Sequence, residues 1–183
     1  MRALRSDSNW SEADATLAVQ FVPGAKVSER SYGVASPEVL LSHDGLDFLQ
    51  SMIAGTLPCP PICKVLNFHP VEAHKGRVVF EGVPDASYYN PINTVHGGWS
   101  ATLLDSAMAC AIFSTLIKGE GWVTLELKVN FVSAVTKDSG VMRAEGRLIH
   151  RGRTMATSEA DLKDKAGKLY AHATTTCMVF PKK

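Results

Sequence analysis

Hydrophobic and polar positions follow three regimes along the chain. Over residues 1 to 43 no period is sustained: Trp10, Phe21 and Tyr32 are scattered among Ser, Asp, Gly and Pro. That pattern predicts an N-terminal arm, disordered or docking late, ahead of one domain over residues 44–183. From Asp44 the text changes. Asp44 is placed to cap a short helix over residues 45–54, which Gly55 ends. Pro58-Cys59-Pro60-Pro61 is a rigid break. Residues 65–68 and 77–83 read as strands flanking a polar turn at His74-Lys75-Gly76.

In the second half the periods are longer. Of the 20 residues from Gly98 to Ile117, 13 are apolar and lie all round a helix, so this helix is expected to be buried on every side. Gly119 and Gly121 should stop it. Strict alternation follows, with Val123, Leu125, Leu127, Val129 and Phe131 on one face and Thr124, Glu126, Lys128 and Asn130 on the other. Three further strand-like runs lie near residues 141–149, 154–162 and 168–180. Their connectors, Lys137-Asp138-Ser139-Gly140, His150-Arg151-Gly152-Arg153 and Asp164-Lys165-Ala166-Gly167, have hairpin chemistry. The expected class is α+β, an antiparallel meander curled around one buried helix.

Composition removes several functions. The 183 residues carry 19 Lys+Arg against 18 Asp+Glu, a net charge of +1, so no basic surplus marks a nucleic-acid binder. Apolar residues make up 45% of the chain, enough for a real core. Four cysteines are too few for a disulfide framework and point to a reducing compartment. The first residues show no secretory signal, and Asp7, Glu12 and Asp14 argue against a transit peptide. The span from Gly98 to Ile117 would reach about 30 Å as a helix, but Asp105 in its middle would cost about 3 kcal/mol in lipid. The expectation is a cytoplasmic protein without membrane partners.

Candidate chemistry concentrates between Asn90 and Asp105. Gly97-Gly98 opens the helix, whose first N–H groups have no internal partners and suit a polarised carbonyl oxygen or oxyanion. Alternatively, His96-Gly97-Gly98 is a plain helix-leading turn with an incidental histidine. Asp105 is the only charge in the helix. It is either ion-paired for structure or a general base or nucleophile with a raised pKa. Nine residues separate it from His96, about 13 Å along the axis and about 180° around it. If both serve one site, that site lies between two subunits. Cys59, Cys63, His69 and His74 lack a second pair at zinc spacing, so no metal is expected. Motifs of serine hydrolases, P-loop enzymes and dinucleotide folds are missing. Arg147, Arg151 and Arg153 form either a solvated turn or a site for a phosphorylated ligand.

Asn90-Pro91-Ile92-Asn93-Thr94-Val95-His96-Gly97-Gly98, continued by Leu103-Leu104-Asp105-Ser106-Ala107, resembles the hotdog-fold acyl-CoA thioesterases of the phenylacetate-pathway (PaaI) type. The resemblance spans about residues 45 to 180, including the 125–131 strand and the 150–153 turn. It implies a curled antiparallel sheet around one long helix and hydrolysis of a small or medium, possibly aromatic, acyl-CoA. Under it, Asn90 and His96 orient the thioester carbonyl and the Gly97 N–H holds its oxygen. Asp105 from a partner subunit activates water or attacks, with Thr124 helping to place the water. Gly98, Asn130, Arg151, Gly152 and Arg153 would contact the coenzyme A part, the two arginines meeting its phosphates. No cofactor is implied beyond coenzyme A as part of the substrate. Pairing of the 125–131 strands would make a homodimer, and two dimers a tetramer.

The fold also serves hydratases and non-catalytic binders. Hydratases resemble a pattern with Asp shortly before Asn-Pro, whereas Ser87-Tyr88-Tyr89 precedes Asn90 here. An acyl-CoA-binding regulatory module is the alternative, but a scaffold with a dead site has no need of Asp105 in an apolar helix.

Overall fold

In the computed structural model of the chain, which describes residues 30–181, six strands form one antiparallel sheet in the order β1-β2-β4-β5-β6-β3. They are β1 (Phe68–His74), β2 (Arg77–Gly82), β3 (Glu120–Phe131), β4 (Met142–Arg151), β5 (Met155–Asp164) and β6 (Leu169–Pro181). Helices α1 (Pro37–Ser42), α2 (Gly45–Ala54) and α3 (Pro61–Val65) precede the sheet, and α4 (Gly97–Phe113) lies between β2 and β3. This is the hotdog arrangement that the periodicity and the resemblance both implied. Among the described residues no helix is long and apolar enough to cross a membrane. Residues 1–29 of the expected arm lie outside the described residues. Residues 30–43 carry α1 and a bridge from Tyr32 to Cys59, and Tyr32, Val39 and Leu40 pack against the core.

The core is the inner face of the sheet closed by α4. Leu103, Leu104, Ala107, Met108, Ala111 and Ile112 are fully buried against Met142, Ala144, Ala156, Ala160 and Leu162. Close approach is possible because β4 carries Gly146, where a Cβ would stand 2.2 Å from the Ala107 carbonyl oxygen. The one buried hydroxyl of β5, Ser158, donates to the Met108 carbonyl at 3.1 Å, so no polar group is stranded there. At the far end of α4, Phe113 stacks on Trp122 at 3.9 Å and meets Phe48 edge-on, fixing the helix against α2 and β3.

Several expectations are corrected. Asp44 precedes α2 as foreseen, but its side chain does not cap it. It accepts instead from the Lys118 N–H at 2.9 Å, tying α2 to the α4–β3 connection. Val65 ends α3 rather than opening a strand, and β1 begins at Phe68. The long helix stops at Phe113, four residues early. Ser114 and Thr115 turn their hydroxyls back on the carbonyls of Ala111 and Ile112, both at 2.7 Å, which satisfies the helix end and lets the chain turn. Nor is the helix buried on every side: Ala101, Thr102, Asp105, Ser106, Ala109 and Cys110 form a half-buried stripe that the sheet does not cover.

The meander is likewise interrupted. Residues 137–139 form a short 3-10 turn, but the strands on either side of it do not pair; β3 lies at the far edge against β6, while β4 sits between β2 and β5. Along β3 the alternation breaks at a bulge between Thr124 and Glu126. Thr124 is opposite the buried Cys177, and Leu127, Val129 and Phe131 are opposite the buried Thr175, Ala173 and Ala171. The bulge therefore puts Thr124 on the inner face with Leu127, Val129 and Phe131. Val123 goes outside, opposite the exposed Met178.

Candidate active site

Asn90 builds the loop that leads into α4. Its Oδ1 accepts from the N–H groups of Ile92 and Thr94 at 3.1 and 3.2 Å, and its Nδ2 donates to Thr94 Oγ1 at 2.9 Å. Such side-chain-to-backbone bonds are what Asn offers a turn. Two backbone bonds dock the loop on the body: Val95 N–H to the Val135 carbonyl, and His96 N–H to that of Tyr88. The amide of Asn90 is thus engaged in shaping the loop that presents His96.

His96 is the N-cap of α4, and its Nδ1 accepts from the Gly98 N–H at 2.9 Å. A ring nitrogen that accepts from an amide carries no proton, so the neutral imidazole bears its proton on Nε2. The ring is exposed, and Nε2–H is a donor aimed at nothing else among the described residues. The Trp99 N–H bonds to the His96 carbonyl. That leaves the Gly97 N–H, first of the helix, without an acceptor among the described residues. Phe131 of β3 covers Gly97 closely: a Cβ there would lie 3.0 Å from the tip of the ring. An unused backbone donor at a helix start and a neighbouring Nε2–H are the parts of an oxyanion site.

Asp105 stands two and a half turns further on, in the half-buried stripe. Thr124 Oγ1 donates to its Oδ1 at 3.2 Å, and the Cys177 thiol lies 3.8 Å from the same hydroxyl. No Lys, Arg or His pairs with Asp105 among the described residues, so none of these supplies a structural ion pair. Burial pushes its pKa above the ordinary aspartate value, and the Thr124 hydrogen bond only partly opposes that.

The remaining predicted residues lie elsewhere in the chain. Arg151 donates to Glu120 of β3 at 2.8 Å and to the Gly152 carbonyl, so it ties its turn to the start of β3. Arg147 belongs to a ladder of ion pairs on the outer face of the sheet with Glu145, Glu159 and Asp161. Arg153 is exposed and has no ion-pair partner among the described residues. Asn130, opposite the exposed His172, falls on the face away from Thr124 because of the bulge. Among the described residues, no group of three His, Cys, Asp or Glu is arranged to hold a metal. Burial pushes the Cys63 thiol up to about 12, which keeps it protonated.

Beside His96, the aromatics Tyr88, Tyr89 and Trp99, which from sequence alone are either pocket-shaping or simple core, border a groove. This open groove of about 470 Å³ runs along the start of α4, lined by Leu66, Tyr88, Tyr89, His96, Trp99 and Thr102 among others. Tyr88 and Trp99 can be suspected from their closeness to His96. Leu66 and Thr102 carry no such signal.

Residues 92–171 match the Thioesterase superfamily. Human acyl-coenzyme A thioesterase 13 is 30% identical over 107 residues, covering 58% of this chain and 75% of that protein. Among solved structures, a phenylacetic acid degradation-related protein from Ralstonia eutropha JMP134 superposes with a TM-score of 0.65 at 29% identity. That match covers 72% of this chain and 98% of that one. A Streptococcus mutans UA159 protein solved with acetyl CoA bound gives a TM-score of 0.58 at 28% identity, covering 64% and 91%. With the hotdog fold, these matches lead to one conclusion: the chain belongs to the thioesterase superfamily, and its chemistry is thioester hydrolysis.

Proposed function

We propose that the protein hydrolyses an acyl-CoA thioester to a free acid and coenzyme A, at a site completed by a second copy of the chain. One observation carries this reading. Among the described residues the donors at His96 and Gly97 and the carboxylate of Asp105 have no charged partner, yet nine residues of one helix hold His96 and Asp105 about 13 Å apart on opposite sides. Strand β3 shows how a second copy would close the gap. It is a sheet edge, and Leu125, Leu127, Phe131 and Val132 on or just past it are 55%, 36%, 56% and 54% exposed. A long apolar edge invites another strand. Thr124 on β3 touches Asp105, and Phe131 on β3 touches Gly97. An antiparallel pairing centred between Leu127 and Lys128 lays Thr124 of one copy opposite Phe131 of the other. It thereby brings each Asp105 toward the other copy's Gly97 and His96.

In that site the thioester oxygen accepts from the Gly97 N–H and His96 Nε2–H, donors already oriented for the charge that develops there. Asn90 holds the loop, and Gly98 fixes the ring tautomer. The ionised Asp105 of the second copy takes a proton from a water that adds to the carbonyl carbon, or adds to it directly. In the first route the adduct expels the coenzyme A sulfur with the C–S electron pair, the proton taken by Asp105 passes to that sulfur, and the free acid remains. In the second the C–S pair leaves in the same way and the sulfur takes a proton from water; the hydroxide so formed then cleaves the acyl–aspartyl anhydride, releasing the acid and restoring Asp105. Thr124 steadies Oδ1 and leaves the other oxygen for this work. Arg153, without an ion-pair partner among the described residues, is a cation for the coenzyme A phosphates, with Arg151 and Gly152 shaping the turn that carries it. Acyl-CoA as the substrate class is supported by the similarity to human acyl-coenzyme A thioesterase 13 and to a protein that binds acetyl CoA.

The test is Asp105→Asn, assayed for thiol release across a panel of acyl-CoAs. Turnover should fall by about 10² or more with substrate binding nearly retained. Unchanged turnover contradicts the assignment.

A further inference from the structure

We infer that the groove beside His96 is the pocket for the acyl side chain and that Thr102 sets its size; this rests on the acyl-CoA reading above. Position is the first ground. His96 forms part of the groove wall, so a carbonyl held by His96 Nε2–H and Gly97 N–H sits at its mouth. One substituent of that carbonyl must then enter the groove.

The wall chemistry decides which. Among the described residues nothing that lines the groove is Lys, Arg, Asp or Glu, so these offer no partner for a phosphate. Its polar atoms are largely engaged internally. Tyr88 O–H donates to the Val65 carbonyl at 3.0 Å, Trp99 Nε1–H to that of Leu66 at 2.9 Å, and Thr102 O–H to that of Gly98 at 2.8 Å. Tyr89 accepts from the Lys137 N–H at 3.0 Å. Pantetheine, with two amides to satisfy, is poorly served by such walls. An apolar group is well served.

Size follows from volume and rigidity. At about 470 Å³ the groove lies in the range of pockets for whole small molecules, roughly 300–1,000 Å³. An acetyl group would leave most of it empty. Tyr88 lies nearly parallel to Trp99, with ring centroids 6.4 Å apart, and Trp99 is buried and hydrogen-bonded, so this wall does not collapse onto a small group. Thr102 stands one turn beyond Gly98, in the half-buried stripe. With its hydroxyl engaged, what it offers the groove is chiefly apolar.

The experiment is kcat/KM for octanoyl-CoA and acetyl-CoA with the wild type, Thr102→Leu and Thr102→Ala. The wild type should favour octanoyl. Thr102→Leu should lower the octanoyl-to-acetyl ratio by about tenfold, the scale of one or two methylenes in an apolar pocket, and Thr102→Ala should not lower it. Partial unfolding lowers both rates by one factor and leaves the ratio alone. A ratio that stays constant across the three proteins, with hydrolysis present, overturns the pocket assignment while the thioesterase reading stands. No hydrolysis of either ester by the wild type overturns both.

Discussion

Asp105 carries a cost to the fold, and the proposed hydrolysis gives that cost a use. Its carboxylate is half-buried, with no cation beside it among the described residues, and desolvation raises its pKa. Because the folded state then holds the proton more tightly than the unfolded chain, stability falls as pH rises from the unfolded value through the folded one. Above that window the charged Asp105 burdens the fold, so Asp105→Asn should raise the melting temperature at neutral pH while removing turnover. Thr124 acts in the opposite direction, since its hydroxyl favours the ionised form. Replacing Thr124 by Val should move the acid limb of the kcat/KM profile to higher pH. A profile with an unmoved limb would show that the hydroxyl does not set the carboxylate's ionisation.

At the scale of elements, the bulge in β3 makes the site. Without it Thr124 would share a face with Glu126 and Lys128 and could not reach Asp105. The buried Thr175 holds the bulge from β6, donating to the Glu126 carbonyl at 2.6 Å. Thr175→Val, close in shape, leaves that carbonyl short of a donor and should cost about 1–2 kcal/mol in denaturant unfolding. It should also lower kcat more than it raises KM, and wild-type kcat in that variant would separate the bulge from catalysis. This element was not legible in the sequence, where Val123 to Phe131 alternate without a fault. Its cause is a partner strand 50 residues away. Likewise, Lys137 to Gly140 form a real turn, but turn chemistry says nothing about which strands pair, so β3 was placed beside β4. The turns at Gly55, Gly76 and Gly167 were legible because φ near +80° selects glycine locally. The helix end was not, since its apolar period runs on past Phe113 and only the hydroxyls of Ser114 and Thr115 close it.

For the whole molecule, the proposed function makes the chain half of an active site. The helix and sheet that define the hotdog fold were visible in periodicity. The candidate residues Asn90, His96, Gly97 and Asp105 could be picked out in the sequence, and the distance along one helix already separated His96 from Asp105. What the structure adds is the pairing of contacts along β3, Thr124 to Asp105 at one end and Phe131 to Gly97 at the other, which supports a shared site. The most direct measurement is complementation between two disabled chains. Asp105→Asn and His96→Ser, the latter keeping a capping oxygen, are purified separately, mixed in equal amounts, dissociated and reassembled. Each should be nearly inactive alone. A mixed dimer regains one intact site, so random reassembly should recover roughly a quarter of wild-type turnover. A mixture that forms mixed dimers, as shown by mass-tagged chains, yet stays as inactive as its components would contradict the shared site.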